Sequence, residues 1–215
     1  MFAVLTKPSL RLLLVAICWG IFPSLAEAVP NGTWLSKPQI WYYTSTNTLD
    51  QALARIRAQQ YRIVFLDYRN VSDADQRQVS QKVRQQGLVP VVWIQTPQYR
   101  SLTVQQLVYE SRNGDGIQID DHFFTHYSQA DFYALRAQYT KPIYCSIQPF
   151  QANKLPPTGC NELDVQCYVP ASLRTCLKLV DRLQAVASLS LDDTFKYRQS
   201  IDGRAFNVFL WPTGQ

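Results

Sequence analysis

One feature constrains this chain more than any other: apolar, β-branched or aromatic runs recur at nearly even intervals. They start near Ile40, Ile63, Val89, Gly116, Pro142, Val165, Ala187 and Phe206, at spacings of 23, 26, 27, 26, 23, 22 and 19 residues. Most gaps carry a helical stripe. Leu49, Leu53 and Ile56 share a face, as do Val79 and Val83, then Val104, Leu107 and Val108, then Phe132, Leu135 and Tyr139. Leu173, Leu177 and Val180 mark a later helix. Such stripes are core-facing sides of amphipathic helices. Strands alternating with helices predict βαβ units and a parallel sheet.

Eight strands of this kind predict an α/β chain folded as a (β/α)8 barrel. Before that domain lies a targeting segment: Lys7 and Arg11, an apolar run from Leu12 to Leu25, and a small-x-small site at Ala26-Glu27-Ala28. Residues 1–28 are thus predicted to be a signal peptide, and 29–215 a single domain. The remaining 187 residues fall below the roughly 200 usual for such a barrel. The barrel is therefore predicted to be small or incomplete, with two helices missing or reduced. Pro149, Pro156, Pro157 and Gly159 mark one gap, and the chain stops soon after Trp211. An open doubly wound parallel sheet is the alternative.

The segment after residue 28 holds 19 Lys+Arg against 15 Asp+Glu, scattered through predicted helices. That is no phosphate-binding footprint, so no nucleic-acid partner is expected. Secretion or a periplasmic location follows from the signal peptide, with no stable membrane insertion after cleavage. Cys145, Cys160, Cys167 and Cys176 are an even set in an exported chain, which predicts disulfides. Three pairings exist; Cys160–Cys167 with Cys145–Cys176 is the expected one.

Chemistry concentrates in Gly114-Asp115-Gly116-Ile117-Gln118-Ile119-Asp120-Asp121-His122-Phe123. The alternation from Ile117 to Asp120 reads as a strand fed by a glycine turn. Period two puts Gln118 and Asp120 on one face and Ile117, Ile119 and Asp121 on the other. In a barrel of parallel strands, active sites sit at the C-terminal strand ends. Carboxylates stand at three predicted ends: Asp67, then Asp120 with Asp121, then Asp192 with Asp193. Tyr43 in the first predicted strand, Trp93 in the third and Trp211 in the last are candidate sugar-stacking rings. Gln95 shares a face with Trp93, as Gln118 does with Asp120, and amides there can hydrogen-bond hydroxyls.

The stretch Asp115-Gly116-Ile117-Gln118-Ile119-Asp120-Asp121-His122-Phe123 resembles D-G-I-H-F-D-D-Y-F of bacterial glycosyl-hydrolase-like barrels, the glycosyl-hydrolase-like family ten group; six of nine positions agree. It is also similar to the D-G-I-D-I-D-W-E strand of family-eighteen chitinases, although His122 stands where that family has its acid and Gln118 replaces its middle Asp. The resemblance implies a TIM-like barrel with Asp120 at the site and a saccharide or polysaccharide as ligand.

A glycosidase needs two carboxylates flanking the scissile bond. Asp120 is the expected nucleophile or base and Asp192 the expected acid. Asp121 is a supporting residue and Asp67 a further partner. No cofactor is expected. Two other chemistries remain open. His122 and His126, the only histidines, could hold a metal with Asp120 or Asp121 in a deacetylase-like hydrolase. A non-catalytic saccharide-binding barrel is the third reading.

Overall fold

The computed structural model describes residues 29–95, 102–154, 159–190 and 204–209. The predicted signal peptide, Asp192, Asp193 and Trp211 lie outside the described residues. The strands are β1 (Val29–Leu35), β2 (Ile63–Leu66), β3 (Val89–Ile94), β4 (Gly116–Ile119), β5 (Ile143–Ile147), β6 (Glu162–Gln166), β7 (Val186–Ser190) and β8 (Ala205–Phe209). Each pairs in parallel with the next, and β8 pairs with β1, so the sheet closes into an eight-stranded barrel. Closure overturns the open-sheet alternative and leaves no free edge.

The helices are α1 (Lys37–Ser45), α2 (Leu49–Ala58), α3 (Asp73–Gln85), α4 (Val104–Glu110), α5 (Phe123–His126), α6 (Gln129–Gln138) and α7 (Leu173–Leu183). Every stripe read from the sequence lands on one of them. The expected helix between β5 and β6 is reduced to a 3-10 stretch, Pro149–Lys154.

The first strand differs from expectation. Ile40 to Tyr43 form part of α1, and β1 lies earlier. The Trp-Tyr-Tyr run suits a strand, but the chain ahead of it starts a helix. The Gln39 side chain accepts the Ser36 backbone N–H at 2.8 Å, and Pro38 stands in the first turn. Ile40 and Tyr43, three apart, turn inward while Trp41 and Tyr42 stay exposed. The true β1 is masked in the sequence by Pro30, Asn31 and Gly32, which read as a turn. Its register with β8 shifts between Pro30 and Gly32. Gly32 is required there, since a Cβ would come within 2.7 Å of the Phe65 ring.

The disulfides also differ. Cys145 pairs with Cys160 and Cys167 with Cys176. Each cysteine thus joins its nearest partner in the fold, on either side of β6, rather than closing the Cys160–Cys167 loop. Both bridges suit an oxidising compartment. Among the described residues no helix is long and apolar enough to cross a membrane.

Strand alternation builds two layers. Outward residues such as Leu35, Val64, Ile117, Ile119 and Leu189 join the helices in the large outer core. The inward set forms a separate aromatic cluster of Trp34, Ile63, Phe65, Val91 and Trp93, with Tyr144 and Phe209 packed on it. The rest of the interior is polar: Ser146 on β5, Glu162, Asp164 and Gln166 on β6, Ser188 on β7 and Asn207 on β8. Half the barrel is thus filled by rings and half by hydrogen-bonding groups.

Candidate active site

A cavity of about 160 Å³ opens at the C-terminal ends of the strands. Trp34, Trp93, Tyr168 and Phe209 give it aromatic walls. Gln95, Gln118, Gln148 and Gln166 give it amides, and Asp120 and Asp121 its acids. Ligand pockets usually measure about 300–1,000 Å³, so this one has room for a single small ring or headgroup.

Asp120 lines it just past the end of β4. Oδ1 accepts the Asp121 backbone N–H at 2.9 Å and Gln166 Nε2 at 3.1 Å. Among the described residues, Oδ2 accepts Trp93 Nε1, at 3.2 Å. Burial, and after it the charge of Asp121, raise the carboxyl of Asp120 to about 7, against the pull of its N–H donors. A proton on this carboxyl belongs on Oδ2, because Oδ1 already receives two N–H groups.

Asp121 lies two residues past Ile119, the last residue of β4, and also lines the cavity. It lies 2.9 Å from His122 Nδ1 and accepts Gln148 Nε2 at its other oxygen. Its backbone carbonyl accepts Gln151 Nε2 at 2.9 Å. Asp121 thus has two side-chain partners, while Asp120 receives three N–H groups.

The other expected site residues are placed as follows. Trp93, Gln95 and Gln118 line the cavity. The Gln95 Oε1 is buried with no hydrogen-bond partner among the described residues. Asp67 is buried beside β2 and held by the Arg69 guanidinium. It also accepts the Lys37 backbone N–H at 3.4 Å, so it anchors the start of α1 and does not line the cavity. Tyr43 belongs to the outer core, since it lies on α1 and not on a strand. His122 and His126 stack with ring centroids 6.4 Å apart. Among the described residues, no group of three His, Cys, Asp or Glu side chains is placed to hold a metal ion.

Several participants escaped the sequence reading. Trp34 was hidden with β1. Gln148, Gln166 and Tyr168 come from β5, β6 and the residues after them. Below the cavity, Asp164 is buried and receives the Ser188 hydroxyl. Burial raises its carboxyl to about 7, which the Ser188 and Ser146 hydroxyls only partly oppose. Its Oδ1 has no partner among the described residues. Gln166 Nε2 bridges the layers, donating to Ser146 Oγ at 3.0 Å as well as to Asp120. The signal was present: Glu162, Leu163, Asp164, Val165 and Gln166 alternate as β4 does.

No protein-family profile matches the chain, and no curated protein does. Solved structures do. A variant of the citrate synthase SbnG superposes with a TM-score of 0.54 at 12% identity, covering 86% of this chain and 87% of that one. The 3-dehydroquinate dehydratase of Aquifex aeolicus VF5 gives 0.52 at 12% identity, covering 86% and 91%. A truncated 3-deoxy-D-arabino-heptulosonate 7-phosphate synthase of Thermotoga maritima gives 0.55 at 10%, covering 87% and 76%. At these identities the likeness establishes the fold, a TIM-like α/β barrel, and leaves the chemistry to the site.

Proposed function

We propose that this barrel is an exported glycoside-hydrolase-like enzyme in which Asp120 is the proton donor. The observation that carries the reading is the Asp120 carboxyl, held near neutrality in a cavity walled by rings and amides. Adjacent carboxylates do not ionise independently, and unequal surroundings divide their roles. Asp120, whose carboxyl is raised by burial and by the neighbouring carboxylate, keeps the proton. Asp121 has His122 Nδ1 and the Gln148 amide beside its oxygens. The sequence reading gave the acid's part to Asp192; the raised carboxyl of Asp120 favours Asp120 for it instead. Asp121 then serves as the anion facing positive charge that develops on the sugar ring.

The lining supports a saccharide. Indole and phenol rings pack against the C–H faces of a sugar, while glutamine amides donate to and accept from its hydroxyls. Export is part of the proposal, supported by the two disulfides and the predicted signal peptide. The test is a screen of the mature protein against neutral polysaccharides and aryl glycosides. Turnover of at least one substrate is expected, and Asp120→Asn should reduce it by about 10²–10⁴-fold, the usual share of a general acid. Binding of a saccharide with no turnover of any substrate would favour a binding barrel instead.

A further inference from the structure

Asp120 and Asp121 are not the only acids inside the barrel. Asp164 faces the interior from β6, is 4% exposed and does not line the cavity. A carboxyl in such a place is costly unless its neighbours engage it. Strand register supplies them. Ser146 of β5 stands opposite Asp164, and Ser188 of β7 stands opposite Gln166.

The hydrogen bonds form a chain with a direction. Both hydrogens of the Gln166 amide are committed, one to Asp120 Oδ1 at 3.1 Å and one to Ser146 Oγ at 3.0 Å. Ser146 Oγ accepts there and has to send its own hydrogen elsewhere. Its hydroxyl lies against the Asp164 carboxyl, whose Oδ1 has no other partner among the described residues. The Ser188 hydroxyl holds Oδ2 from the other side. A reversed Gln166 amide would turn its oxygen toward the oxygens of Asp120 and Ser146. Once Asp164 takes the Ser146 hydrogen, nothing there can donate to that oxygen. Ser146 and Ser188 are themselves buried, so the chain is closed to solvent.

We infer that Asp164 is a positioning residue for Asp120: through Ser146 it fixes the orientation of the Gln166 amide, which keeps Asp120 Oδ1 an acceptor and leaves Oδ2 as the seat of its proton. The use of that proton in cleavage rests on the proposed function; the chain does not. The titratable groups around it are Asp121 and His122 after β4, Tyr144 on β5, Glu162 on β6 and Tyr168 after it. β7 and β8 face it with Ser188 and Asn207, which do not titrate. Burial is the main cause of the raised Asp164 carboxyl, but the charge of Asp120 adds to it. The two acids therefore also act on each other through space, and the test has to separate that route from the chain.

Mature protein labelled with ¹³C-aspartate and ¹⁵N-glutamine is titrated as wild type, Ser146→Ala, Asp164→Asn and the double variant. Asparagine mimics the neutral carboxyl, so Asp164→Asn should keep the fold. Ser146→Ala should raise the Asp120 midpoint, because a loosened Gln166 amide donates less well to the carboxylate. The Gln166 side-chain N–H groups should exchange several-fold faster in either single variant, and no faster in the double variant than in the singles. Where a substrate is turned over, the alkaline limb of kcat/KM should move with the Asp120 midpoint. A purely stabilising role for Asp164 would lower urea midpoints and leave Asp120 titration and Gln166 exchange where they are, which overturns the inference. So does an Asp164→Asn shift of the Asp120 midpoint that is equal with and without Ser146, since that is charge acting through space. A coupled chain in a protein that turns over no saccharide would refute the proposed function and leave the positioning role standing.

Discussion

Trp34 Nε1 on β1 donates to Gln118 Oε1 on β4, 2.7 Å away, across the barrel interior. Both side chains are buried, so neither can exchange this bond for water. The bond fixes which end of the Gln118 amide faces the cavity: its oxygen is engaged, and its NH2 remains to donate. Gln118→Leu strands the indole N–H and should cost about 1–3 kcal/mol. Urea unfolding reads the loss as a lower midpoint at unchanged slope. A variant as stable as the wild type would mean that the indole finds another acceptor.

The disulfide pairs predict a specific peptide map. Proteolysis without reduction should release Cys145 linked to Cys160 and Cys167 linked to Cys176. Any fragment joining Cys160 to Cys167 contradicts the fold around β6. Loops of 15 and 9 residues imply at most about 3 kcal/mol of stabilisation from each bridge, by their effect on the unfolded chain.

Asp164 predicts how stability varies with pH. Its folded carboxyl is raised to about 7, while an unfolded aspartate titrates near 3.9. The folded state therefore binds more protons between these values. Its advantage is fully present below the unfolded value and is lost as pH rises through about 7. Asp164→Asn removes this contribution and leaves that of Asp120. The fall in urea midpoint from pH 5 to pH 8 should be visibly smaller in Asp164→Asn than in the wild type. An equal fall in both proteins would mean that Asp164 is not the group responsible.

Asp121 predicts where Asp120 titrates. Its charge is the second cause, after burial, of the raised Asp120 carboxyl. Asp121→Asn should lower the Asp120 midpoint, but not to the ordinary aspartate value, because burial remains. Carbonyl NMR of ¹³C-aspartate protein follows this directly. An Asp120 midpoint unmoved by the substitution would assign the whole effect to burial.

Much of this fold was legible in the sequence, for definite reasons. Seven of the eight strand runs and all the helical stripes were placed, because barrel strands and their helices carry unmixed periods. The exception, β1, uses Gly32 to admit the Phe65 ring and so looks like a turn. The aromatics after it looked like a strand, although a capped start makes them a helix. Asp120 and Gln118 were readable because β4 alternates cleanly. Asp164 and Gln166 alternate just as cleanly, but β6 is short and sits between Cys160 and Cys167 after a proline-rich stretch, a setting typical of loops. The Asp67–Arg69 pair could not be foreseen, since their engagement depends on how the chain turns after β2. The cysteine pairing was likewise a matter of position in space, with nothing in the spacing to choose among three options.

The central claim is that Asp120 transfers a proton in a glycosidic cleavage, and a pH–rate profile of wild type and Asp120→Asn tests it most directly. The substrate is whichever polysaccharide or aryl glycoside the screen identifies. The acid must carry its proton, so wild-type kcat/KM should fall as pH rises through about 7. Asp120→Asn should remain folded by circular dichroism and lose this alkaline limb along with about 10²–10⁴-fold of the rate. A folded Asp120→Asn protein that keeps both the wild-type rate and its alkaline limb would contradict the account.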